Sequence, residues 1–132
     1  MEGADDMSAI LDVRELHLRR GERTILAGAT FTVARGGVAA LMGPSGSGKT
    51  TILRAIAGLE RFDRGTIDIE GVRLQGGIRP DSALLKRLRR QVGLVFQFHH
   101  LFDHLSALRN ITLAPTHART ATSRRFASAR SI

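Results

Sequence analysis

The chain has 132 residues, of which 42% are hydrophobic and none is cysteine, and its formal charge is +8. That length suits one domain with a sizeable core and excludes two; the missing thiols exclude a disulfide framework or a thiolate metal centre within these residues. Half of the positive excess falls in residues 116–132, with four arginines and no acid, and six phenylalanines without tyrosine or tryptophan leave few platforms for stacked bases, so no nucleic-acid partner is expected.

The first residues, Met1 to Asp6, are acidic and lack the basic and apolar regions of a signal peptide, and no apolar run approaches the roughly 20 residues of a membrane span. A cytoplasmic location is the expectation. From Ile10 to Val33 apolar and polar residues alternate, with Val13, Leu16 and Leu18 before a turn at Gly21 and Ile25, Leu26, Phe31 and Val33 after it. This pattern predicts antiparallel strands. Gly36-Gly37 breaks it, and the continuous apolar run Val38-Ala39-Ala40-Leu41-Met42 predicts a buried strand where the sheet turns parallel.

The next nine residues, Gly43-Pro44-Ser45-Gly46-Ser47-Gly48-Lys49-Thr50-Thr51, match the phosphate-binding pattern G-x-x-x-x-G-K-S/T. Glycines at 43, 46 and 48 let the backbone wrap an anion and present its N–H groups, because φ > 0 is open to them. Lys49 supplies a point charge for β- and γ-phosphates, the Thr50 hydroxyl a ligand for Mg²⁺, and the helix that follows aims its positive end at the same anion. That helix is expected to start near Ser47–Lys49 and to continue through the helical pattern from Thr51, closed by Gly58.

Glu60 to Gly65 then reads as a polar loop and Thr66–Glu70 as a strand, with turns at Gly71 and at Gly76-Gly77. The alternation places Asp68 and Glu70 on the polar face of that strand, which argues against a catalytic part for either. Asp81, after Pro80, is the expected cap of an amphipathic helix in which Leu84, Leu85 and Leu88 interleave with Lys86, Arg87, Arg89 and Arg90; these charges are expected to be solvated. Val92-Gly93-Leu94-Val95-Phe96 predicts a second buried strand, ending at Gln97 where open α/β sheets place ligands. A short helix is expected from Ser106 to just before Pro115, and residues 116–132 are expected to be a disordered basic tail. His99, His100 and His104 could supply metal ligands, but a tetrahedral site needs more partners and a second shell; loop histidines beside a partner surface are expected instead.

These motifs together resemble the ATP-binding subunit of ABC transporters, most closely the polar amino-acid importer type. The resemblance rests on Val13–His17, Leu41–Gly58, Val92–Gln97 and Leu101–Pro115, and it spans a partial ATP-binding domain, residues 8–115. It implies an α/β fold: a partial P-loop NTPase core with an N-terminal antiparallel β subdomain and only the beginning of a helical subdomain. It further implies ATP and Mg²⁺ as cofactors, Lys49 and Gln97 in catalysis, and Thr50 and Gln97 on the metal. Gly43, Pro44, Ser45, Gly46, Ser47, Gly48, Lys49, Thr50 and Thr51 would surround the nucleotide with Arg20. The implied partners are transmembrane permease subunits and a second ATP-binding subunit, and the implied place is the inner face of the cell membrane, peripherally.

Two departures qualify the match. Arg20 occupies the place where the family stacks adenine on an aromatic ring; a guanidinium also stacks on a base, which leaves selection between ATP and GTP open. The 132 residues contain no LSGGQ signature, no four apolar residues followed by Asp-Glu, and no switch histidine after such a run. The chain is therefore expected to be truncated, a nucleotide-binding remnant that holds half of a hydrolytic site, because the Gln97 amide cannot replace the missing acid. Missing parallel strands would also leave apolar sheet edge and core face uncovered.

Overall fold

The computed structural model describes residues 9–98 and 101–117, which fall into two compact units, one ending at Leu94 and the other beginning at Val95. In the first, β1 (Ala9–Arg20) and β2 (Arg23–Ala34) form the antiparallel hairpin that the alternation predicts, turning at Gly21 with φ +57°. β3 (Arg64–Ile69) pairs with the other side of β1, and β4 (Val72–Gln75) pairs with β3, giving the order β2-β1-β3-β4. All three pairings are antiparallel.

A change of phase inside β1 explains an irregularity in its apolar pattern. Val13, Leu16 and Leu18 are all buried, although strict alternation would put Val13 and Leu16 on opposite faces. Glu15, at φ +49°, forms a bulge that absorbs one residue, and the register with both neighbouring strands shifts there. Its N–H donates to Thr30 Oγ1 at 2.9 Å. Gly65 on β3 makes the bulge possible on the other side, since a Cβ there would stand 2.2 Å from the Glu15 carbonyl oxygen.

Glu70 and Gly71, at φ +47° and +78°, make the tight β3–β4 turn, a conformation suited to a two-residue hairpin. Asp68 Oδ1 accepts the Gly71 N–H at 3.0 Å and Asp68 Oδ2 lies 3.3 Å from Arg73, while Glu70 pairs with Arg35. Asp68 therefore serves the hairpin itself, and Glu70 ties its turn to Arg35 beyond the end of β2. Glu70 sits in the turn, one residue past the end of the strand expected to carry it.

α1 (Lys49–Ile56) begins directly out of the glycine loop and ends in a Schellman motif: Gly58 N–H donates to Ala55 O at 3.0 Å and Leu59 N–H to Arg54 O at 2.8 Å. Gly58 takes the left-handed conformation, φ +68°, that this stop requires. α2 (Ser82–Gln91) has Asp81 at its N-cap, whose Oδ1 accepts the Leu84 N–H at 2.7 Å. Replacing Asp81 by alanine is expected to cost about 1 kcal/mol in a denaturant titration, and replacing it by serine much less. Ile52 and Ala55 of α1, Leu88 of α2 and Phe62 join the inward residues of the sheet in one core.

The two apolar runs expected as parallel strands do not form strands. Residues 38–42 are irregular, with Val38 100% and Met42 90% exposed, and 92–96 are irregular with Val95 96% exposed. A parallel strand must pair laterally and be covered on both faces. Among the described residues neither run has such neighbours, so only Leu41 and Val92 pack against the core. The sheet is accordingly antiparallel throughout, and the α/β character comes from helices α1 and α2 placed beside it.

In the second unit, α3 (Ala107–His117) runs two residues past Pro115 rather than stopping before it. Proline within the last turn removes one backbone donor but leaves the preceding turns bonded. The Asn110 side chain holds the approach to this helix: it accepts from Phe102 N–H at 2.9 Å and donates to the carbonyls of Phe102, Leu105 and Ser106 at 3.1–3.2 Å. His104 packs edge-on against Phe102, ring centroids 5.8 Å apart. His99 and His100, and the part of the basic tail from residue 118 onward, lie outside the described residues.

Candidate functional site

The loop between Gly43 and Thr51 is shaped by glycine. Gly43, Gly46 and Gly48 have φ of +154°, +80° and +89°. A Cβ on Gly48 would meet Leu26 Cδ2 at 2.6 Å and the Ile25 carbonyl oxygen at 3.0 Å, so this position is closed to side chains by both conformation and space. Gly48 is also the N-cap of α1 and supplies no capping side chain. The first-turn N–H groups of α1 are thus left without the usual side-chain acceptor, at the positive end of the helix.

Lys49 folds back over the loop. Its Nζ donates to Gly43 O at 2.8 Å, Pro44 O at 2.6 Å and Ser47 Oγ at 3.3 Å. All three partners are neutral, so the ammonium orders the loop while its charge stays uncompensated. Beside it an open pocket of about 370 Å³ is lined by Arg20, Arg23, Ile25, Ser45, Gly46, Gly48, Lys49, Thr50 and Thr51. The lining holds three cations and no carboxylate. Its size is that of a small-molecule cleft, and its charge suits a multivalent anion.

The structure thus brings Arg20 to the same pocket as Ser45, Gly46, Gly48, Lys49, Thr50 and Thr51, with Gly43, Pro44 and Ser47 in the loop that frames it. The Arg20 guanidinium is held by Glu60, Nη2 to Oε2 at 2.8 Å. Arg23 is the residue that sequence reasoning missed. A Cβ built on Gly46 would lie 4.0 Å from Arg23 Nη2, and Arg23 has no ion-pair partner among the described residues. The signal was the turn: two residues at Gly21-Glu22 set Arg23 opposite Arg20 in the hairpin register. Gln97 belongs to the second unit, where it is exposed in a bend. Among the described residues no group of histidine, cysteine and carboxylate side chains is arranged to hold a metal, and no helix is long and apolar enough to cross a membrane.

A glycine-shaped loop of the G-x-x-x-x-G-K-S/T pattern leading into a helix, set beside an antiparallel sheet, defines an α/β protein with the phosphate-loop motif. Comparison with known proteins narrows the class: the family profile described as ABC transporter matches residues 26–131, and the chain belongs to that family. It is 39% identical over 114 residues to the arginine/ornithine transport ATP-binding protein AotP of Pseudomonas aeruginosa, covering 81% of this chain and 45% of that protein. It is 39% identical over 106 residues to the L-cystine import ATP-binding protein TcyC of Bacillus subtilis, covering 80% and 43%. Similarity also extends to the lipoprotein-releasing system ATP-binding protein LolD of Cereibacter sphaeroides, 43% identical over 95 residues, 72% of this chain and 42% of that one. Among solved structures, the dimeric bacterial ABC transporter cassette MJ0796 superposes with a TM-score of 0.68 at 28% identity, over 88% of this chain and 53% of that chain. The chain spans less than half the length of these curated relatives.

Proposed function

We propose that residues 8–115 are part of the ATP-binding domain of an ABC transporter subunit and that residues 43–51 bind the triphosphate of ATP together with Mg²⁺. The observation that carries this reading is the uncapped start of α1 beside an uncompensated Lys49 in a pocket without carboxylates. A polyphosphate fits that cradle: backbone N–H groups at Gly46 and Gly48 to Thr51 would donate to its oxygens, and Lys49 and Arg23 supply charge. Thr50 is exposed at the mouth, where its hydroxyl would ligate the metal. Arg20, its edge occupied by Glu60, offers the flat face of its guanidinium to a purine.

Bound Mg²⁺ would neutralise phosphate charge and so favour transfer of the terminal group to water. The residues present bind and orient; the pocket lining contains no carboxylate to position a water, and these 132 residues contain no LSGGQ or apolar-Asp-Glu run. This favours binding over turnover by the chain alone. Hydrolysis coupled to amino-acid import, a second ATP-binding subunit, permease partners and a cytoplasmic place on the inner membrane face follow as the proposed setting. Amino-acid import is favoured by the names of relatives such as AotP and TcyC.

The test is a binding titration with ATP, with and without Mg²⁺. Thr50→Ala is expected to remove most of the Mg²⁺-dependent gain while leaving metal-free ATP binding within about threefold, since it deletes one metal ligand and no phosphate donor of the backbone. Equal Mg²⁺ enhancement in Thr50→Ala and the unaltered chain would exclude the metal role.

A further inference from the structure

Charge in the first unit is divided between two kinds of surface. Five arginines of the sheet and its flanks pair locally: Arg14 with Asp12, Arg20 and Arg54 with Glu60, Arg35 with Glu70, and Arg73 with Asp68. Arg19, Arg23 and Arg64 of the strands are exposed without such a pair, one to a strand, whereas α2 gathers four cations on one short helix. Lys86, Arg87, Arg89 and Arg90 are all exposed, no acid lies within residues 82–91, and none of the four has an ion-pair partner among the described residues.

Their placement follows from helix periodicity. With Leu88 buried and Leu84 and Leu85 half-buried, a turn of 100° per residue puts the four cations on the outward half of the helix, across an arc of about 160°. Arg89 and Arg90 complement the negative end of the helix dipole. That accounts for two of the four, and Lys86 and Arg87 lie outside the last turn. The face is convex, and no aromatic residue lies on α2 to stack a base.

We infer that the outer face of α2 is a docking surface for an anionic phospholipid bilayer. A convex row of cations without aromatic side chains meets a flat anionic sheet with most charges in reach, whereas a single nucleic-acid strand asks for a groove with stacking platforms. The leucines face the core, so attachment is electrostatic adsorption rather than insertion. The choice of a membrane rests on the transporter-subunit reading above.

The test is co-sedimentation of the full chain with phosphatidylcholine vesicles, with and without one third phosphatidylglycerol. Anionic vesicles are expected to pellet the chain at low salt and release it at high salt. The variant Lys86→Gln, Arg87→Gln, Arg89→Gln and Arg90→Gln together is expected to lose roughly fivefold per cation, several hundredfold in all. A second variant, with Arg119, Arg124, Arg125 and Arg130 changed to glutamine, is expected to keep the larger part of the binding. No pelleting, undiminished pelleting of the α2 variant, or full release by a sub-stoichiometric single-stranded oligonucleotide would overturn the inference. ATP titration of the α2 variant separates the two proposals: unchanged ATP affinity with lost pelleting supports the lipid surface, and a chain that never binds ATP fails the nucleotide reading alone.

Discussion

Replacing Lys49 by alanine is expected to weaken ATP binding by at least about tenfold, and by about a hundredfold if the ammonium contacts two phosphate oxygens, since charge-assisted hydrogen bonds are worth roughly 1.5–3 kcal/mol each. Two effects add. The point charge disappears from a pocket that contains no carboxylate, and the loop loses the bonds from Nζ to Gly43 O and Pro44 O at 2.8 and 2.6 Å. Lys49→Arg separates them: it keeps the charge, but the planar fork does not reproduce a compact ammonium donating to three oxygens on one loop. Arginine should therefore recover part of the affinity. Calorimetric titration with ATP checks both, and an alanine variant that binds as tightly as the unaltered chain would remove Lys49 from the site.

The largest effect on stability is expected at Gly65. With φ +100° and a Cβ position 2.2 Å from Glu15 O and 2.5 Å from Arg14 O, alanine there meets backbone that cannot move without undoing the β1–β3 register. Gly65→Ala is expected to cost about 3 kcal/mol or more, from strained φ and a forced shift of two strands. That is a large part of the 5–15 kcal/mol typical of a domain. Gly71→Ala supplies the contrast. It also has positive φ, +78°, but nothing lies within 4 Å of its Cβ position, so about 1 kcal/mol is expected. Chemical denaturation of the two variants side by side distinguishes close packing from conformation alone.

Much of the local structure was legible because its causes are local. The Gly21 turn between alternating runs, the Asp81 cap and the Gly58 stop each depend on a few neighbouring residues, and each forms where the sequence places it. The bulge at Glu15 was visible only as three-residue spacing between Val13 and Leu16, because its cause lies across two strands at Thr30 and Gly65. The runs 38–42 and 92–96 misled for a related reason. Apolar composition states that a segment can be buried in a sheet, and only lateral hydrogen-bonding neighbours make it a strand.

The candidate site divides in the same way. The nine residues from Gly43 to Thr51 determined by themselves the glycine-shaped loop, its lysine and the start of the helix that follows, because glycine conformations, a lysine and a helix N-terminus act over one turn of chain. Tertiary structure alone decided that Arg23 joins Arg20 in that pocket, that Glu60 holds one guanidinium and leaves the other unpaired, and that the four cations of α2 stay without the carboxylates that pair with Arg14, Arg35 and Arg73. Coulombic pairing and pocket walls depend on distance through space, and a chain brings distant residues together only by folding.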